Sequence, residues 1–92
     1  MKYLIGSSAG ADTNASGTGT AVNLPSSDRD YTVQVVISSA CTVNIQGSLD
    51  GTNYNTDATV TASARFVVSR ANWMRATWSG NDDEVTVLIE EV

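Results

Sequence analysis

The stretch Tyr31-Thr32-Val33-Gln34-Val35-Val36-Ile37 decides the fold. Tyr31, Val33, Val35 and Ile37 share one side of an extended chain, and Thr32, Gln34 and Val36 share the other. A period of two in a β-branched run is the pattern of a strand with one buried face. Towards the C-terminus Cys41, Val43 and Ile45 alternate with Thr42, Asn44 and Gln46, and Ser38-Ser39-Ala40 is the expected hairpin between the two runs. The alternation returns at Ala58, Val60 and Ala62, at Phe66 and Val68, at Met74, Ala76 and Trp78, and at Val85, Val87 and Ile89. Towards the N-terminus, Met1 to Ile5 and Thr20 to Leu24 are shorter candidates, and Pro25 ends the second because proline cannot donate to a ladder.

This makes about eight short strands at roughly ten-residue spacing, joined by Asp50-Gly51, Ser79-Gly80-Asn81-Asp82 and Ser26-Ser27-Asp28 turns. No 3.6-residue apolar stripe opens with a capping box, so no helix is expected. The predicted architecture is all-β: one domain over residues 1–92, an antiparallel β-sandwich of jelly-roll type. Its expected buried face comprises Val33, Val35, Ile37, Val43, Ile45, Phe66, Val68, Trp78, Val85, Val87 and Ile89. Residues 6–19 hold four of the seven glycines among alanine, serine, threonine and asparagine. With so little side-chain mass to bury, that segment reads as a long flexible loop.

Composition removes whole classes of function. The chain has 92 residues, five Lys and Arg against ten Asp and Glu, and a net charge of −5. A phosphate backbone meets net repulsion there, so no nucleic-acid partner is expected. There is no histidine, which removes the commonest general base and every Ser-His-Asp or Cys-His arrangement. Cys41 stands alone and closes no disulfide within the chain, so a core this thin points to a partner subunit for added stability. Met1 to Ile5 followed by Gly6 to Ala11 imitates a signal peptide, but its apolar centre is shorter than an h-region, and no window approaches a membrane helix. Asn14-Ala15-Ser16 matches a glycosylation acceptor only as a short pattern.

The remaining motifs point away from catalysis and cofactors. Gly17-Thr18-Gly19-Thr20 lacks the third glycine and the helix of a dinucleotide fingerprint. Asp50 to Asp57 gathers oxygen ligands, but its spacing fits no calcium loop, and a hairpin closed by Asp and Asn side chains is the simpler expectation. Asp82-Asp83-Glu84 reads as solvated turn charges. A glycosidase pair of Asp50 or Asp57 with Asp83 needs a cleft that a domain of this size hosts poorly. Cys41, on an apolar face with no histidine nearby, reads as a small buried hydrophobe. We therefore expect no enzyme, no catalytic residue, no cofactor and no metal.

Aromatic residues are the better guide to partners. Trp78 shares its face with Met74 and Ala76 and reads as core. Trp73 has the opposite parity and stands with Arg75 and Thr77, the composition of an interface anchor, although a position under a loop would also suit it. Val36 and Leu88 likewise point away from the apolar faces of their strands. With Tyr54, these residues (Trp73, Arg75, Val36 and Leu88) are the candidate partner contacts.

The run Val43-Asn44-Ile45-Gln46-Gly47-Ser48-Leu49-Asp50-Gly51-Thr52-Asn53-Tyr54 is followed by Thr61 to Val68, by Trp73-Met74-Arg75-Ala76-Thr77-Trp78-Ser79-Gly80, and by a closing Val85-Thr86-Val87. Over about residues 31 to 90 this resembles small bacteriophage virion proteins. The resemblance implies a structural subunit of the virion, assembled in the bacterial host cytoplasm. It would be a head decoration or cement protein bound outside the capsid, or else a tail or collar component. It also implies a homo-oligomer, a trimer by family analogy, with the major capsid protein or other virion proteins as partners. A related Gly-Ser-x-Asp-Gly turn followed by an aromatic occurs in discoidin-like and other carbohydrate-binding sandwiches. This chain is shorter, lacks their cysteine pair and has Tyr54 where tryptophan is frequent. The alternative is a carbohydrate- or receptor-binding module with Tyr54 and Trp73 as stacking platforms.

Overall fold

The computed structural model describes residues 2–24 and 29–92. Met1, Pro25 and the Ser26-Ser27-Asp28 turn lie outside the described residues. Among the described residues there are nine strands and no helix: β1 (Lys2–Ile5), β2 (Gly17–Thr18), β3 (Val22–Asn23), β4 (Tyr31–Ile37), β5 (Thr42–Ser48), β6 (Asn55–Val60), β7 (Ala64–Val68), β8 (Trp73–Ser79) and β9 (Val85–Glu91). They form two antiparallel sheets packed as a β-sandwich. The first has the order β1-β9-β4-β7, and the second has β2-β8-β5-β6 with β3 also pairing β8. β2 is the strand that the sequence pattern does not announce.

The period-two pattern does what it predicts. Val33, Val35, Val85, Val87 and Ile89 of the first sheet face Val43, Ile45, Met74, Ala76 and Trp78 of the second, and all are buried. Ile37 and Phe66, expected in the core, are half-buried and pack against it. Ile37 ends its strand, and Phe66 sits on β7, the last strand of its sheet among the described residues. Ala62, expected to continue the Ala58 and Val60 run, lies beyond β6 and is exposed. Cys41 sits just before β5 and is buried, and that burial pushes its thiol upward, against a smaller downward pull from the Ser79 backbone.

The predicted hairpin at Ser38-Ser39-Ala40 is corrected. β4 pairs with β7 and β9, whereas β5 pairs with β6 and β8, so the three residues carry the chain from one sheet to the other. Alternation specifies a strand and its buried face, but two strands in one sheet and two in facing sheets present the same alternation. The turn at residues 79–84 is also a crossover, from β8 in the second sheet to β9 in the first. The Asp50-Gly51 turn, by contrast, closes a true hairpin between β5 and β6.

Within residues 6–19, expected as one long loop, Gly17–Thr18 form β2 and other residues make isolated bridges. Ser7 and Gly10 bridge each other, Asp12 exchanges backbone hydrogen bonds with Val85, and Gly19 N–H donates to the Ala76 carbonyl at 2.8 Å. Asn14 contributes its carbonyl, which accepts from Trp78 Nε1 at 3.0 Å and from Asn81 Nδ2 at 2.8 Å. Backbone groups of this segment, needing no side-chain mass, bond to β8, to the start of β9 and to the turn between them.

Candidate partner-contact surface

The register of β5, β6 and β8 builds one continuous outer face on the second sheet. Gln46 stands opposite Arg75 and Asn44 opposite Thr77, while Thr56 and Thr59 flank them from β6. These side chains bond to one another. Arg75 Nε donates to Gln46 Oε1 at 2.8 Å, and Gln46 Nε2 donates to Thr56 Oγ1 at 3.3 Å. Thr59 Oγ1 donates to Asn44 Oδ1 at 2.7 Å. Cross-strand pairs of this kind hold long polar side chains in single orientations before any partner arrives.

Tyr54, the last residue before β6, folds back so that the Arg75 guanidinium lies 3.8 Å from its ring centroid. A cation over an aromatic face at an exposed site contributes about 0.5–1 kcal/mol. Trp73 stands opposite Ser48 and is half-buried. Its indole lies against Gly51: a Cβ built on that glycine would sit 2.9 Å from Trp73 Nε1, and Gly51 already has φ +77°. Both requirements restrict the position to glycine. Trp73 therefore tucks its pyrrole edge under the hairpin loop and remains half-buried.

One carboxylate makes four of the bonds within that loop. Asp50 Oδ1 accepts from Asn53 N–H at 2.8 Å, from Thr52 N–H at 2.9 Å and from Ser48 Oγ at 2.9 Å. Asp50 Oδ2 accepts from Asn53 Nδ2 at 2.8 Å. The backbone amides of Asn53 and Thr52, then the Asn53 and Ser48 side chains, hold the Asp50 carboxyl well below the usual carboxylate range. Its oxygens are committed to the loop itself. Asp57 has the opposite character, because partial burial over Gly47 pushes its carboxyl above its ordinary value.

Of the five expected contacts, Tyr54, Trp73 and Arg75 come together here. Val36 and Leu88 do not. They lie on the outer face of the first sheet, where Leu88 stands beside Tyr3 and Gln34, and Val36 beside Thr86. The two outer faces are separated by the sandwich core, roughly 10 Å between sheets. The carboxylates considered as a glycosidase pair are also kept apart. Asp50 follows the Ser48 end of β5, while the loop carrying Asp83 bonds to Ala40 and Ser38 before its Thr42 end. Seven residues of strand place those ends roughly 20 Å from each other. A cleft of about 380 Å³ lies between β1 and the 6–19 segment, lined by Tyr3, Gly6, Asp12, Thr18, Gly19 and Trp78 among others, and none of the five contacts reaches it.

Two residues escaped the sequence reading. Gln46 joins Arg75 to Thr56, and the signal was present as a long polar side chain on the outer parity of β5. Asn81, read as an ordinary turn residue, is only 5% exposed. Its amide donates to the Asn14 and Asp83 carbonyls and accepts from Asp83 N–H. Compared with known proteins, the chain matches no family model, no curated protein and no solved structure.

Proposed function

We propose that this chain is a non-enzymatic structural subunit of a bacteriophage virion, a decoration protein that binds the outside of the assembled head. The sequence resemblance motivates the reading. The observation that carries it is the outer face of the second sheet, where Tyr54, Trp73 and Arg75 converge on a pre-bonded polar surface. Aromatic and arginine anchors set among polar side chains are what a protein partner uses, and side chains already fixed in place lose little freedom on docking. In this reading the major capsid protein meets that face.

Co-sedimentation with assembled heads tests it. Wild-type protein pellets with heads, and Trp73→Ala or Arg75→Ala weakens binding by about fivefold to thirtyfold, the range of an anchor worth 1–2 kcal/mol, with an unchanged β-type circular dichroism spectrum. Failure of the wild-type protein to bind heads, tails or any other virion part defeats the proposal. The second reading, a carbohydrate-binding module, is favoured by the amides and hydroxyls of Asn44, Gln46, Thr56 and Thr59 beside two aromatic rings. Glycan-array binding that is abolished by Tyr54→Ala, together with no binding to heads, would decide for it.

A further inference from the structure

Each edge of a β-sheet leaves alternate N–H and C=O groups without a ladder partner, and natural sandwiches blunt such edges in recognisable ways. Among the described residues, three of the four edges are blunted. β1 breaks register between Tyr3 and Ile5, and residues 17–19 cover it so closely that a Cβ on Gly19 would collide with the Leu4 carbonyl. β2 and β3 present only two residues each. In β6 the register shifts where Ile45 pairs with Ala58 and Gln46 with Thr56, which makes Asp57 an extra, bulged residue. Its carboxylate leans inward over Gly47, where a Cβ would lie 2.9 Å from it. A bulge and an inward-pointing charge both oppose edge pairing.

Among the described residues, the β7 edge has none of these devices, and the one charge it carries is Arg65. Its five residues pair with β4 in unbroken register, from Tyr31 with Val68 to Val35 with Ala64. The strand Ala64-Arg65-Phe66-Val67-Val68 contains no proline, glycine or acid. Val67 is 59% exposed, and Phe66 sits half-buried at the open rim of the core.

We propose that β7 pairs with β7 of a second copy of this chain, antiparallel about a two-fold axis through Phe66, so that the two four-stranded sheets continue as one. Self-complementarity is the reason for choosing a second copy. Centred on Phe66, the register uses all five residues and sets Ala64 opposite Val68, Arg65 opposite Val67, and Phe66 opposite its counterpart. No like charges meet, the arginine stem covers the exposed valine, and the paired phenylalanines close the rim. A register centred on Arg65 would oppose two arginines, and one centred on Val67 would run Ala64 past the strand end against Arg70. The pair is a dimer, where the family analogy implies a trimer. It rests on the self-association expected of a virion subunit and leaves the capsid-facing sheet uncovered.

Sedimentation velocity of the full chain, taken to about millimolar concentration, tests the pairing. The wild-type protein is expected to dimerise, with slowed amide exchange in β7. Val67→Lys places a cation opposite Arg65 twice and should weaken dimerisation about tenfold, whereas Val67→Glu, opposite the same arginines, should preserve or tighten it. Arg65→Glu combined with Val67→Lys should restore it. Circular dichroism verifies that each variant remains folded, which the exposure of Val67 favours. A wild-type monomer throughout, equal effects of lysine and glutamate, or a dimer indifferent to both would overturn the proposal. Head binding by a strictly monomeric protein would overturn this pairing alone, while a dimer that binds no virion part would overturn only the decoration reading.

Discussion

The 6–19 segment and the β5–β6 hairpin loop are built from similar residues, and both combine local with long-range bonds, but the bonds that anchor their central polar residues differ in range. In the hairpin loop, Asp50 bonds to Ser48, Thr52 and Asn53, all within three positions of itself. In the 6–19 segment, Asn14 is held by Trp78 and Asn81, 64 and 67 positions away. Turn chemistry of the first kind is written into a short string of residues. The second kind exists only after two sheets have met. Glycine, serine and asparagine therefore do not by themselves mark mobility, because the backbone carries the bonds that order such a segment.

Four substitutions sharpen the contrast. The largest effect is expected of Gly19→Ala, which drives a methyl into the Leu4 carbonyl and should cost about 3 kcal/mol, the upper part of the overpacking range. Thermal unfolding measures it, and a wild-type melting temperature would mean that the segment yields as a flexible loop does. Asn81→Ala comes next. It removes a buried amide serving three bonds and should cost about 1–3 kcal/mol, with faster amide exchange at Asp12 and Val85 but not at Thr52 and Asn53.

Asp50→Asn is the local counterpart and should be milder, with exchange accelerated at Thr52 and Asn53 alone. The folded Asp50 carboxyl lies below its ordinary value of 3.8, so its stabilisation is complete above that pH and is lost as pH falls further. The variant should accordingly differ from wild type at neutral pH and converge with it in acid. Asp57→Asn should give the smallest effect, with the opposite sign. Burial raises the folded carboxyl, so its charge costs stability at neutral pH, and that cost disappears as pH falls below 3.8. Replacing Asp57 should raise the melting temperature slightly at pH 7 and leave it unchanged in strong acid. A drop at pH 7 would show that the carboxylate makes a favourable contact.

The candidate surface divides along the same line. Parity alone set Trp73 and Arg75 on the outer face of β8 and Trp78 on the inner, and each stands there. Parity could not tell that Val36 and Leu88 belong to the opposite face of the sandwich, because inward and outward are defined within each strand. Nor could it bring Tyr54 over Arg75, a contact made by a loop folding back across strands 21 positions apart in sequence.

The sequence by itself determined the longer strands, most of their buried sides and the hairpin whose turn carries its own hydrogen-bond acceptor. These depend on a period of two and on bonds spanning two or three residues, both of which a short window contains. Tertiary structure alone decided which strands share a sheet, which connections cross between sheets, and that residues 17–18 form a strand on β8. It also decided that β7 is the last strand of its sheet among the described residues. The physical reason is that the apolar alternation fixes what a strand buries but leaves its hydrogen-bonding edges unassigned. Those edges are assigned only when packing of the two sheets settles which backbone groups find one another.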